Sequence, residues 1–424
     1  VLAILICAAC LVAGVFWPGV MLAGILFTYQ AASISGYEWV TTVYAAGAIP
    51  VAIWHYFRAR PSLAPNWVDL TYLTFIFGYA ATTFYAVVPD AAQAAAVKLL
   101  LAAISMYAVG RITISPRNAD RVIIQFVIGA LVAGAAMSAV LYQAAQASGT
   151  SYWSRLSVGG ATAVGTAQPL PMALIAAVLA GVWCVANKRW ALLAGVLALG
   201  GWILYICVLS GTRGIFIAAG AGLIVATIVG RRVAPWARMI GMASIAAVAG
   251  LLVIPRLEQT KRLTYSFDRL IGNFQEGGMV MDLSARLRLE QQTAAFELFS
   301  QKTKFGAGIG GFDAITHKMY PHNLELEIGA EFGLIGLMLL TFYLIALFRR
   351  QVTIATYQPM VGIVLLAMST SCVIHQQISF SFFMAKPLFM FTGLTASALV
   401  SMRAAAPQAM KRPSRRNIRP AKIA

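Results

Sequence analysis

Carboxylates are scarce in this 424-residue chain, which has 14 Asp and Glu against 32 Lys and Arg and a formal net charge of +18. No Asp-x-Asp pair, Gly-x-Ser-x-Gly elbow or Gly-Lys-Ser/Thr loop occurs in it. A carboxylate metal motif, a serine-hydrolase nucleophile and a P-loop nucleotide site are thereby excluded. The energy of any reaction must arrive with the substrate. The 5 cysteines, Cys7, Cys10, Cys184, Cys207 and Cys372, all lie in or beside apolar runs. Cys7 and Cys10 have the CxxC spacing, but no second CxxC or nearby His pair joins them, so buried free thiols are expected. Charge of either sign is low at 11%, against about a quarter in soluble proteins. No long polar stretch is left for a separate soluble catalytic domain.

What the chain does have is apolar surface. Hydrophobic types make up 60% of it and its mean hydropathy is +0.78, which excludes an ordinary soluble globule. The runs are continuous, whereas a spanning β-barrel needs strands of about ten residues with alternating polarity. The fold class is therefore all-α: a polytopic membrane protein. With about 20 apolar residues needed per span, candidate spans lie near 2–17, 19–34, 39–57, 67–88, 92–110, 121–143, 169–186, 190–209, 214–230, 239–255, 328–348, 360–378 and 385–402. The first two are short and separated only by Trp17-Pro18-Gly19, which gives about twelve transmembrane helices with the N-terminal parity open.

The cations sit in alternate loops: Arg58 and Arg60; Arg111, Arg117 and Arg121; Lys188 and Arg189; Arg231, Arg232 and Arg238; Arg349 and Arg350. The tail adds Arg403, Lys411, Arg412, Arg415, Arg416, Arg419 and Lys422 with no acid and no aromatic residue. This positive-inside bias assigns those loops and the tail to the cytoplasm. A nucleic-acid surface would need aromatic readers that the tail lacks. The expected organisation is N-terminal transmembrane helices over 1–255, a polar loop over 256–323, C-terminal transmembrane helices over 324–402 and a basic cytoplasmic tail over 403–424. Loop 145–168, with Tyr152, Trp153 and Arg155, faces the same outer side as 256–323. Within the larger loop, Leu283, Leu287, Ala294 and Leu298 recur among polar residues, which predicts an amphipathic helix in a small helical cap.

Three places in this outer region have the residue types for chemistry. Arg213 lies in Ser210-Gly211-Thr212-Arg213-Gly214, a tight turn on the side where positive-inside bias opposes an arginine. A guanidinium there suits a lipid-linked phosphate, and the flanking glycines allow close backbone approach to a ligand. Arg286 and Arg288 lie two apart on the amphipathic helix, so they occupy different faces. One of them is expected to face a site while the other pairs with an acid such as Asp282 or Glu290. His322, in Tyr320-Pro321-His322-Asn323-Leu324-Glu325, sits where a helix should begin with Asn323 at its start. The positive end of that helix favours neutral imidazole, the form a general base requires. His317 is expected to be solvated, and His55 and His375 to be interfacial or packed between helices. Gly306-Ala307-Gly308-Ile309-Gly310-Gly311-Phe312 reads as a flexible re-entry turn, since no strand precedes it.

In this order, these pieces resemble the O-antigen ligase/polymerase superfamily of bacterial envelope enzymes. The resemblance rests on Ser210–Gly214, Ser284-Ala285-Arg286-Leu287, Gly306–Phe312, Pro321-His322-Asn323-Leu324-Glu325-Leu326 and Gly329-Ala330-Glu331-Phe332-Gly333-Leu334-Ile335-Gly336. It is close over about residues 190–350. It implies a GT-C-like fold and transfer of a glycan from undecaprenyl pyrophosphate at the periplasmic face of the bacterial inner membrane. Catalytic weight then falls on His322, Arg213 and Arg286, with Arg288, Asn323 and Arg155 as substrate-binding candidates. Family members often have Gly before the loop arginine and Trp four residues after it. Ala285 and Glu290 stand there in this chain, which leaves the choice between Arg286 and Arg288 open.

The chemistry of the residues agrees with that implication. Arginines can neutralise a departing pyrophosphate, and His322 can take the proton of an attacking hydroxyl. No metal and no cofactor is required by such a site. A single inverting displacement is expected, since no paired carboxylates call for a covalent intermediate. The leading expectation is an O-antigen ligase that moves polysaccharide from its lipid-linked donor to the lipid A–core acceptor. The alternatives are an O-antigen polymerase and, from a different class, a lipid-linked glycan transporter. A transporter should have more mid-span ions than Lys98 and a few others, and often repeated halves. The short basic tail argues against a protein O-oligosaccharyltransferase, which often carries an added C-terminal region.

Overall fold

Pro18, Pro89, Pro171 and Pro359 each stand in the first turn of a helix, where the missing amide hydrogen costs nothing and the fixed φ favours helix entry. The computed structural model describes residues 1–37, 39–60, 63–115, 118–147, 168–210, 212–234, 238–241 and 283–410. Its helices are α1 (Leu2–Ala13), α2 (Pro18–Ser35), α3 (Trp39–Ala59), α4 (Trp67–Ala81), α5 (Pro89–Thr113), α6 (Ala119–Ala147), α7 (Leu170–Ala186), α8 (Trp190–Ser210), α9 (Arg213–Val233), α10 (Leu283–Gln301), α11 (Gly311–Thr316), α12 (Leu324–Tyr357), α13 (Pro359–Ser379) and α14 (Lys386–Met410). Single 3₁₀ turns occupy Thr82–Tyr85 and Phe382–Met384. Among the described residues there is no strand.

Among the described residues, six helices are long and apolar enough to cross a membrane: α5, α6, α8, α9 from Gly214, α12 and α13. With the shorter apolar helices α1 and α7, they make an all-α, multi-pass membrane protein. Twelve of the thirteen apolar runs coincide with helices. The run 239–255 meets the described residues only at its helical start, through Gly241. The run 67–88 is divided, because α4 ends at Ala81 and a 3₁₀ turn follows.

Small residues set the approach of α9 to α13. Gly214, Ala218 and Gly222 recur every fourth residue on α9, and Ala367, Ser371, His375 and Ser379 do so on α13. A Cβ on Gly222 would lie 2.5 Å from the Ala367 carbonyl oxygen, and one on Gly214 would lie 3.2 Å from Ser379 Oγ. Small-residue stripes of this kind let membrane helices pack backbone to backbone. Here the packing brings the first turn of α9 to the last turn of α13.

Arg111 departs from its expected place among the cytoplasmic loop cations. It is buried at the end of α5, its Nε 3.2 Å from Asp69 Oδ1 and its Nη2 donating to the Ala64 carbonyl at 2.9 Å. Tyr107 also donates to Asp69. Asp69 in turn accepts from the Asn66 amide at 2.9 Å, in a capping box that starts α4. A buried carboxylate needs its partners in place, and this one joins the 63–66 segment, α4 and α5.

The amphipathic helix of the large loop is α10, and of its expected apolar face Leu298 and Ala294 meet a core while Leu287 does not. Ala295 and Leu298 are buried with Ala307, Phe312 and Ala330 in a small core of their own, whereas Leu287 is 50% exposed. This small core joins α10, the glycine run, α11 and the start of α12 into the helical cap. The segment 251–282, including Asp282, lies outside the described residues.

Candidate active site

The glycine run is anchored rather than flexible. Gly306, Gly308 and Gly310 have positive φ of 73°, 91° and 72°, values that side chains with a Cβ rarely adopt. The turn wraps the carboxylate of Glu331, which accepts from the Gly310 amide at 3.0 Å, the Phe312 amide at 3.2 Å and the Tyr79 hydroxyl. The amides of Ala307 and Gly308 bond the carbonyls of Ala330 and Glu331, both at 2.9 Å. A concavity of backbone amides can hold an anion. In this chain the anion is an internal carboxylate, so the run is a structural bracket and not a phosphate loop.

α12 supplies a second carboxylate one turn earlier. Glu327 accepts from Ser381 Oγ at 2.5 Å and from the Phe382 amide at 3.0 Å, fixing the turn between α13 and α14. The N-terminal part of α12 ends in a break at Gly333, where φ is 67° and ψ is −161°. The Leu334 amide there bonds the Thr303 carbonyl at 2.8 Å. From below, Tyr72, Phe75 and Tyr79 of α4 form one aromatic face. Tyr79 stacks on Phe332 at 5.8 Å, and Phe75 meets Phe382 edge to face at 5.3 Å.

This framework places His322. The residue is half-buried, with the left-handed φ of 54°, which is uncommon for a side chain with a Cβ and recurs at functional sites. Asn323 Oδ1 accepts from the Leu326 amide at 2.9 Å as the cap of α12. His322 Nδ1 lies 2.9 Å from the carbonyl oxygen of Ser379. A carbonyl only accepts, so Nδ1 carries the proton and Nε2 keeps a free lone pair. Burial holds the imidazole below its ordinary pKa of 6.5; the Ser379 bond opposes that shift and the charge of Arg288 adds to it. Tyr320 packs against the ring at 4.4 Å. Its phenol is pushed up to about 12 by burial, then by Tyr29 and Glu327, against the opposing charge of Arg288.

The two loop arginines divide. Arg286 has an exposed side chain whose Nε lies 3.3 Å from Glu290 one turn on. Arg288 is half-buried and close enough to Tyr320 and His322 to act on both electrostatically. Arg213 is the first residue of α9, beside Gly214, and so stands at the helix end that meets Ser379. Arg155 and Gly211 lie outside the described residues. His317 is exposed as expected, and His55 bonds the Gly14 carbonyl at 2.8 Å.

Sequence reasoning missed Glu327, Glu331, Tyr79 and Ser379. One signal for the acids was available. Two carboxylates four apart at the head of an apolar run lie on one helix face and are costly there unless satisfied.

Residues 198–341 match the family model described as O-antigen ligase. Comparison with curated proteins gives no match. The matched segment takes in Arg213, both loop arginines, the glycine run, His322 and Glu331. This match supports membership of the O-antigen ligase/polymerase superfamily.

Proposed function

We propose that this protein is an O-antigen ligase of the bacterial inner membrane, acting at the periplasmic face. It transfers O-antigen polysaccharide from undecaprenyl pyrophosphate to the lipid A–core oligosaccharide. The observation that carries this reading is the Nδ1 bond from His322 to Ser379, which leaves Nε2 as a lone-pair base beside the starting end of α9 and near Arg288. An acceptor hydroxyl attacks the anomeric carbon of the donor and its proton passes to Nε2. The bond from that carbon to the pyrophosphate oxygen breaks with inversion, and its electrons leave on undecaprenyl pyrophosphate. Arg213 and Arg288 stabilise the departing charge. Arg288 takes the role first considered for Arg286, because Arg286 is exposed and occupied by Glu290.

The buried acids argue against a transporter. Glu327 and Glu331 are the kind of in-span ionisable residues a transport path uses, yet both are engaged by protein donors. The deciding experiment is a lipopolysaccharide gel with lipid-linked glycan analysis in a strain lacking this gene, complemented with the wild type or His322→Ala. Bare core with full-length polymer stranded on undecaprenyl pyrophosphate, restored only by the wild type, is the expected result. Core capped by one repeat would replace the ligase with a polymerase.

A further inference from the structure

Arg349 and Arg350 are adjacent cations far along α12 from His322, and among the described residues no acid pairs with either. Both line an open groove of about 590 Å³ between α4 and α12, within the range of small-ligand sites, about 300–1,000 Å³. The two helices run antiparallel. Tyr79 stacks on Phe332 and Tyr72 meets Tyr343 at 5.5 Å, so Trp67, at the head of α4, stands level with the arginines. An indole at that end suits the headgroup level of a bilayer. From Arg350 the groove runs back along α12 to Leu339, eleven positions or about 16 Å of helix. Its walls there include Leu70, Phe342 and Ile345, each more than half exposed.

Exposed apolar side chains are ordinary on a lipid-facing helix, and arginines are ordinary at its cytoplasmic end. Their convergence on one concavity is what selects a ligand. Among the described residues no carboxylate lines the groove, so two positive charges stand uncompensated at one end of a slot that is otherwise mostly apolar. A free anion gains nothing from the apolar length, and an uncharged chain gains nothing from the arginines. A zwitterionic headgroup brings its own ammonium beside its phosphate and offers the guanidiniums no net charge. An amphiphile with a net negative headgroup and a hydrocarbon chain meets both ends. Guanidiniums hold phosphate oxygens through charge-assisted bonds, and basic pockets between membrane helices on the cytoplasmic side take anionic lipid headgroups. The positive-inside bias puts this end of α12 on that side.

We propose that the groove between α4 and α12 is a binding site for one anionic phospholipid of the cytoplasmic leaflet. Its phosphate lies at Arg349 and Arg350 beside Trp67, and an acyl chain lies along Leu70, Phe342 and Ile345. The lipid bridges the same two helices that meet further along through Tyr79 and Glu331. Its occupancy therefore stabilises the framework that places His322. The site takes no part in glycan transfer, and so it stands or falls apart from the ligase reading.

The test uses the full-length protein, stripped of lipid in detergent and titrated with dioleoyl phosphatidylglycerol or dioleoyl phosphatidylcholine. Native mass spectrometry reads the first bound lipid, and thermal unfolding reads its effect on the fold. Wild type should bind phosphatidylglycerol about thirtyfold more tightly than phosphatidylcholine, the scale of two arginines near an anionic headgroup. Saturation should raise the unfolding temperature, since the ligand binds the folded state. The double variant Arg349→Ala, Arg350→Ala should bind the two lipids alike, and Arg349→Lys, Arg350→Lys should keep most of the preference. Ala346→Phe fills the groove and leaves both arginines in place, and it should lose phosphatidylglycerol as well. Size exclusion and unfolding without lipid establish that each variant is folded. Equal binding of the two lipids by wild type overturns the site. Undiminished phosphatidylglycerol binding by a folded Ala346→Phe also overturns it, leaving only a charged surface. Displacement of phosphatidylglycerol by an equal concentration of polyprenyl phosphate would give the groove to an isoprenoid chain and overturn the phospholipid assignment.

Discussion

His322 Nδ1 lies 2.9 Å from the backbone oxygen of Ser379, the last residue of α13. A helix end exposes carbonyl oxygens with partial negative charge. One of them fixes the tautomer of the imidazole and favours its protonated form once a proton has been taken up. The loop that carries His322 and the helix that orients it are 57 residues apart, joined by the clamp of Glu327 on Ser381 and Phe382.

The histidine should set the acid limb of the pH–rate profile. In the proposed mechanism neutral imidazole is the active form, and burial lowers its pKa from the ordinary 6.5. Activity is therefore retained to a lower pH than an exposed histidine would allow and falls as pH drops through the lowered value. His322→Ala should reduce transfer by at least about a hundredfold with normal expression and abolish that limb. A profile for kcat/KM that keeps the same limb in the variant would assign the base elsewhere.

Arg286 and Arg288 should differ sharply on substitution. An exposed i,i+4 pair contributes only about 0.3–0.5 kcal/mol, so Arg286→Ala should unfold and transfer much as wild type does. Arg288→Ala should lose transfer by about two orders of magnitude, the scale of one preorganised charge donor, with Arg288→Lys recovering part of it. Measuring the three variants side by side in glycan transfer decides the assignment, and the reverse ranking would return the role to Arg286.

Glu331 should matter for stability before it matters for catalysis. Glu331→Ala leaves the amides of Gly310 and Phe312 and the Tyr79 hydroxyl without their acceptor. Breaking a buried charged network costs about 3–5 kcal/mol. Thermal unfolding in detergent should show a large drop, and limited proteolysis should open the 302–312 segment first. Tyr79→Phe removes one donor of the three and should cost about 1–2 kcal/mol.

Gly222→Leu tests the helix contact that builds the site from a distance. A Cβ at that position meets the Ala367 carbonyl at 2.5 Å, so α9 must move away from α13. Overpacking of this kind typically costs about 1–3 kcal/mol. Donor KM should rise with it, because α9 begins at the site although Gly222 lies two turns away. A variant with lowered stability and unaltered donor KM would separate the packing from the site.

Composition and periodicity alone determine that the chain is all-α and crosses a membrane several times. The length of an apolar run and the cost of bare backbone in lipid allow little else. Asn323 at the head of α12 and the amphipathic α10 were legible for the same reason, since caps and helix faces depend on residues a few positions apart. The family motifs brought Arg213, the loop arginines and His322 to notice. Only tertiary structure separates the exposed Arg286, paired with Glu290, from the half-buried Arg288, because two arginines on one helix are distinguished by what packs beneath each. It alone turns the glycine run from a flexible turn into a bracket, through a carboxylate that follows it by about twenty residues. It also leaves the buried Nε2 of His375 without a hydrogen-bond partner among the described residues, near the start of α9. That placement depends on Gly214 and Gly222 meeting a helix more than 140 residues later in the chain, a relationship that no local pattern encodes.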